Sequence, residues 1–374
     1  MIGFDLLSIA ALLLAQATVY ASGDHAPTLA ETRATMGIAS TDGVRGQRDA
    51  VGYASKPEQM EKVWELSAEG PAPDRLGPSP PPGVLAVLSP HDDYIYAGRV
   101  YRAVLPLVTA RTVIVVGVFH SYRKYRVRDR IVFGPYGAWR TPDGPVKVSA
   151  LRDELLAAMP EADVLQDAAA HDAEHSIEAE VYWLRHADPS VEIVPILAPA
   201  ASFERIEAIA KRLGDALAAS MRKRSWQLGR DVAIVISADA VHYGPDFDQV
   251  PFGDGGIDAY TKAVARDRGL LTGPFAGPMT VAKVRELYGD FVDPENPDTY
   301  RMSWCGRFSI PFGMLLLRRA CEGLGVAPPR GMPLCYATSI SAPELRVSDV
   351  GLGATAPSNL YHFVGYPGVV WVSP

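Results

Sequence analysis

Apolar runs of strand length appear at residues 84–88, 112–118, 191–197 and 231–236, with further strand candidates near 334–340 and 361–372. The first four are nearly continuous, the pattern of strands buried on both faces. Between and around them apolar residues recur at helical spacing, which predicts helices over about 95–107, 148–159, 174–185, 202–222, 257–265, 281–287 and 310–322. Strand followed by helix, repeated, gives an α/β fold: one large domain with a mostly parallel central sheet flanked by helices.

In such open sheets ligands sit outside the carboxyl ends of the strands, so the polar residues after each apolar run carry the information. "SPHDDYIYAG" places His91 after the first run, "TVIVVGVFHSY" places His120 after the second, and "DVAIVISADAVHYG" places Asp239 and His242 after the fourth. Cys305, in "SWCGRFSIPFG", precedes a helix, where amide dipoles would bias its thiol toward thiolate. Two or three imidazoles with a thiolate or carboxylate make a metal site of borderline softness, suited to Fe(II), Zn or Cu rather than Mg or Ca.

Composition narrows the class without changing the fold. The chain has 374 residues, 48% hydrophobic and 21% charged, and a net charge of −7 with its basic residues scattered. That excludes a nucleic-acid footprint and a polybasic membrane surface. The one basic stretch, "HSYRKYRVRDR", reads as a solvated loop able to bind an anion.

Residues 1–22 read as a probable signal peptide or N-terminal hydrophobic segment, with an apolar stretch too short to span a bilayer, although Asp5 stands where a basic residue is usual. If cleaved, it makes the protein periplasmic or extracellular, and otherwise cytoplasmic; the mature chain would have no membrane span. Residues 23–82 form an N-terminal arm ending in the proline-rich "GPAPDRLGPSPPPG", and residues 83–374 form the α/β domain.

The three cysteines cannot all pair, so at least one free thiol is expected, with Cys321 and Cys335 as core residues. A second cluster, "HDAEHSIEAEVYWLRH", formally matches a zinc-peptidase pattern through His171 and His175. In the favoured reading His175 and Glu178 instead share one helix face, while Ile177, Val181 and Leu184 are buried. His171, His186, His25 and His362 are then surface residues. "PHDD" also resembles, in shuffled order, a motif of zinc-dependent sugar deacetylases.

Taken in order, the motifs resemble the Memo-like family, which includes the bacterial AmmeMemoRadiSam system protein B. "SPHDDYIYAG", "VIVVGVFHSY", "WRTPDGPVKV", "EHSIEAEVYWL", "ISADAVHYG" and "SWCGRFSI" each look like a segment of that family, over about residues 84–374. The resemblance implies the fold of class III extradiol ring-cleavage dioxygenases, which use non-heme Fe(II). It implies His91, His120 and Cys305 as metal ligands, His242 as acid/base, and Asp239 holding that imidazole's tautomer. His175, Glu178, Asp93, Tyr94 and Tyr243 would line the pocket. Asp92 and Asp93 replace a small Ala-Gly pair of the family, and Ala238 replaces a serine. The expected function is a mononuclear two-His, one-Cys metal-binding protein, Fe(II) first with Cu or Zn as alternatives, acting as an oxidoreductase or dioxygenase on a small-molecule or peptide ligand. A non-catalytic metal- or ligand-binding protein is the alternative, and a zinc hydrolase the third. The sequence leaves the oligomeric state open.

Overall fold

The apolar runs pair with one another because their polar side chains, such as Thr112 and Asp231, stand at the ends and their interiors need no water. The computed structural model describes residues 25–41 and 43–374, so the expected signal segment lies outside the described residues. Strands β1 (Ala86–Ser89), β2 (Thr112–Gly117), β3 (Glu192–Leu197) and β4 (Val232–Ser237) lie in the order β3-β2-β4-β1, all parallel. All are buried except at Glu192.

Two long C-terminal strands, β5 (Arg330–Thr338) and β6 (Phe363–Val372), extend this parallel core: β6 pairs antiparallel with β1, Val369 opposite Leu88, and β5 pairs antiparallel with β6. At the other edge Val146–Val148 pairs with β3, Ala138–Trp139 pairs with Val146–Val148, and Val44–Arg45 of the arm pairs with Ala138–Trp139. The arm therefore adds the outermost strand of the sheet.

Helices cover both faces. Alternation along β4 shows this, because Ile236 packs where a Cβ on Gly313 would sit 2.6 Å from its Cγ1, while the hydroxyl of the next residue, Ser237, donates to the Ser176 carbonyl. Helix α1 (Tyr94–Val104) and helix α2 (Ser176–Ala187) thus lie on one face, and α3 (Phe203–Arg224) and α4 (Ser309–Leu324) on the other.

Two helix expectations change. The helix expected over 174–185 starts at Ser176, preceded by a separate short helix, Ala168–Ala173, because Glu174 turns inward and its Oε1 accepts the backbone N–H groups of His175 and Ser176. The helix expected to end near 265 continues to Thr272. Its polar-looking residue Asp267 is buried, accepting from Trp304 Nε1, Tyr336 Oη and the Val241 N–H, so it belongs to the interior rather than to a helix end.

Candidate metal centre

His91 sits two residues past β1, at the carboxyl end of the sheet. Its Nδ1 lies 2.8 Å from Ser237 Oγ, whose own proton goes to the Ser176 carbonyl at 2.8 Å. With that proton committed, Nδ1 is the donor and Nε2 keeps its lone pair. Nε2 points at Cys305 Sγ, 3.4 Å away, and at Asp239 Oδ2, 3.5 Å away. The His91 backbone is held as well: its N–H donates to Asp239 Oδ1 at 2.9 Å, and its carbonyl accepts from Tyr53 Oη.

His120 follows β2 in the same way. Its Nδ1 lies 2.9 Å from Glu174 Oε1 and its N–H donates to Glu174 Oε2 at 2.8 Å. A carboxylate only accepts, so His120 also presents Nε2. Burial would raise the Glu174 carboxyl, but the adjoining His120 and His175 imidazoles and the donated N–H groups hold it well below the usual carboxylate range. His175 stacks on His120, centroids 5.0 Å apart, and meets His91 edge-on at 5.5 Å.

Cys305 and His242 close the cluster. Gly306 lets the Cys305 turn lie against the β4 exit, since a Cβ there would come within 2.3 Å of the Ala238 Cβ. The Asp239 N–H then donates to Cys305 Sγ at 3.1 Å. His242 Nδ1 lies 3.0 Å from the Ser303 carbonyl and 3.1 Å from that of Ala240, so a third imidazole leaves Nε2 unengaged. Donor atoms of His91, His120 and Cys305 all lie within 4.8 Å of one another, as do those of His120, Glu174 and His175, and those of Asp239, His242 and Cys305.

Burial sets the charge state of this cluster. It pushes the Cys305 thiol and the Asp239 carboxyl well up, helped by the Asp239 charge on the first and the Asp92 charge on the second. It pushes the His91 and His242 imidazoles down. The groups therefore collect as neutral donors, and a divalent cation reverses the balance by favouring thiolate and carboxylate. Two oriented imidazoles and a sulfur suit a borderline or soft metal.

Several expectations are corrected. Cys305 is not poised as a thiolate by a helix dipole: α4 starts only at Ser309, and burial dominates. The tautomer of His242 is set by two backbone carbonyls, not by Asp239, which instead anchors His91. His171 is not a surface residue but fully buried, with Nε2 against the Val132 carbonyl at 3.1 Å, so it does not join His175 in a peptidase-like pair. His186 and His362 are largely covered, by Asp143 with Trp64 and by Phe247.

The remaining expected pocket residues face elsewhere. Glu178 pairs with Arg45 and accepts the Arg48 and Asp49 N–H groups. Asp93 accepts from Thr355 N and Oγ1, at 2.6 and 2.9 Å. Tyr94 Oη donates to the Ala179 carbonyl and Tyr243 Oη to that of Gly253. Asp92, by contrast, stays near the centre, held by Tyr366 Oη at 2.6 Å. Sequence reasoning gave no role to Ser237 or Tyr53 and met Glu174 only inside the zinc-peptidase pattern; only the folded chain shows which histidine each one holds.

Beside Cys305 and His120 opens a cavity of about 260 Å³, walled by residues of the 118–124 loop and by Asp298, Tyr300, Arg307 and Phe308. Larger cavities of about 370 and 620 Å³ lie at the opposite strand ends, beside Thr112 and Gly83, away from the histidines. Among the described residues no helix is long and apolar enough to cross a membrane.

Comparison with known proteins bears on the family of the chain. A family model described as Memo-like protein matches residues 51–354. A MEMO1 family protein of Thermococcus kodakarensis is 32% identical over 178 residues, covering 45% of this chain and 56% of the relative. One from Archaeoglobus fulgidus is 32% identical over 170 residues, 45% of this chain and 59% of the relative, and one from Pyrococcus furiosus 29% over 177 residues, 45% and 56%. The matched region thus spans little more than half the length of these curated relatives.

Proposed function

Since the chain belongs to the Memo-like family, we propose that it binds one metal ion through His91, His120 and Cys305, with Fe(II) first in preference and Cu or Zn as alternatives. The observation that carries this reading is that both histidines have Nδ1 engaged, by Ser237 and Glu174, which leaves Nε2 to ligate, and that each has a ring nitrogen within 4.8 Å of the Cys305 sulfur. Fixing the second nitrogen of a ligating histidine is the usual way a protein orients a metal site.

An iron or copper ion held there supplies Lewis acidity and one-electron redox chemistry to a small ligand in the adjoining cavity. The protein's own groups would then handle protons. His242, with Nδ1 on the Ser303 carbonyl, has Nε2 available to accept a proton from that ligand, and His175 flanks the same space. This supports an oxidoreductase on the plan of the extradiol dioxygenases. Binding without turnover is the second reading, favoured by a buried sulfur in the ligand set, which makes the centre electron-rich and prone to oxidation under O₂. The same donors also suit zinc, hence a hydrolase as the third.

Metal analysis of anaerobically purified protein tests the proposal. One equivalent of iron or copper in the native chain, lost in the His91→Ala, Cys305→Ser double variant, supports it; metal retained by that variant removes the ligand set. Stoichiometric zinc would select the hydrolase, and O₂ uptake with a panel of catechols separates turnover from binding. An exported mature chain would favour copper or oxidised iron over labile Fe(II), which N-terminal sequencing of the isolated protein addresses.

A further inference from the structure

Arg307 is 3% exposed, and among the described residues no carboxylate lies within ion-pair distance of it. A guanidinium has five N–H donors. Two are used, Nη1 to the Asp298 carbonyl at 3.3 Å and Nη2 to Tyr122 Oη at 3.1 Å. The nearest acid, Asp298, spends its charge elsewhere: its carboxylate takes Arg128 Nη2 at 2.5 Å and Tyr122 Oη at 2.6 Å, with Arg123 Nε 3.5 Å away. Burying a cation without a counter-charge is expensive, and such groups are normally paired.

The guanidinium lines the same cavity as Cys305 and His120, and Arg123 and Lys124 line it too. Tyr300 covers the flat face of Arg307, its centroid 3.8 Å from Cζ, and Phe308 lies at 4.9 Å. The wall is therefore cationic, aromatic and flat. Val118 and Phe119 add apolar surface, which gives an organic body something to pack against and offers nothing to an inorganic ion. A volume of about 260 Å³ admits a single ring or a short acid and excludes a folded peptide.

We propose that this cavity binds a small organic carboxylate, gripped by the Arg307 fork between Tyr300 and Phe308, with its other end toward Cys305 and His120. Arginine meets carboxylate through two parallel hydrogen bonds, so geometry as well as charge selects the ligand. The inference names a ligand class for the metal reading and rests on it for the direction the ligand faces, while the grip itself requires no metal.

Benzoate, benzamide and inorganic phosphate, titrated into the native protein by calorimetry, test the idea on unaltered chain. Benzoate is expected to bind at least about tenfold more tightly than benzamide, as one charge-assisted pair implies. Equal affinity for the two, or phosphate binding as tightly as benzoate, overturns it. Arg307→Lys keeps the charge and removes the fork, and benzoate affinity should fall about tenfold in the folded variant. The metal-free His91→Ala, Cys305→Ser variant separates the two proposals: benzoate binding retained there supports the arginine grip whatever the fate of the metal reading. Binding lost there but kept in Arg307→Lys places the carboxylate on the metal and overturns the grip.

Discussion

Ser237 determines which nitrogen of His91 faces Cys305. Its hydroxyl stands 2.8 Å from Nδ1 and donates its hydrogen bond to the Ser176 carbonyl, so Nε2 is left as the ligand atom. Ser237→Ala removes this without touching a proposed ligand. Metal affinity should fall about 10- to 100-fold while the stoichiometry at saturation stays unchanged, as for other groups that orient a ligating histidine. Competition against a chelator reads the affinity, and an unchanged value would remove Ser237 from this role.

Glu174 does the same for His120 and caps α2 besides. Its two oxygens accept from His120 Nδ1 and from the N–H groups of His120, His175 and Ser176. Glu174→Gln turns one oxygen into a donor facing donors. The variant should lose about 2–4 kcal/mol of stability as buried donors go unpaired, and bind metal more weakly. Urea denaturation of the apo protein measures the first effect and chelator competition the second; a loss of stability alone would confine Glu174 to the cap.

Arg45 and Glu178 form an ion pair with both side chains almost wholly covered, and Arg45 also lies 4.2 Å over the Trp139 ring. Glu178→Gln leaves a buried cation without its partner, and stability should drop by about 3–5 kcal/mol. The Arg45→Met, Glu178→Leu double variant should recover much of that. Metal stoichiometry of the folded fraction should match the native protein in both, because Glu178 faces the arm rather than the histidine cluster. A stoichiometric loss of metal in folded Glu178→Gln would put it back in the pocket.

His171 gives the protein an acid sensitivity. Burial lowers its imidazole to about 4, whereas in the unfolded chain it titrates near the ordinary histidine value of 6.5. As pH falls below the unfolded value, the unfolded chain gains a proton that the folded chain refuses, so stability is lost down to the folded value. The slope is about 1.4 kcal/mol per pH unit for one such group, roughly 3 kcal/mol across the window. His171→Gln should flatten the profile between pH 6.5 and 4 by about that slope, with stability above pH 7 changed much less in its pH dependence. Urea midpoints at stepped pH show it; parallel profiles for the two proteins would exclude His171.

The sequence patterns located the strands and the residues at their carboxyl ends, because burial on both faces leaves an unbroken apolar run and the turn after it must be polar. His91, His120, Asp239 and His242 were legible for that reason, whereas Cys305 was picked out as a polar residue ahead of a helix. Glu178 and His171 were misplaced because their surroundings come from far away in the chain. Glu178 is buried by Arg45, Arg48 and Asp49 of the arm, and His171 by Val132 and Trp139. Local periodicity reports which face of a helix is covered, not whether the cover is a sheet, a cation or a passing segment. Arg307 was visible as a residue of the Cys-Gly-Arg motif, yet its missing counter-charge appears only once Asp298 is seen to serve other cations.

The arm has a part in completing the ligand set. Its Arg45 meets Glu178 across 133 positions of sequence, and its Tyr53 meets the carbonyl of His91 across 38. The parallel strands close loops as long, Ala86 pairing with Ile234, so sheet and arm face a similar entropic cost of closure. Until it docks, the peptide carrying His91 lacks one of its two backbone anchors. The ligand set is therefore finished only when sheet and arm are both in place, whichever closes first.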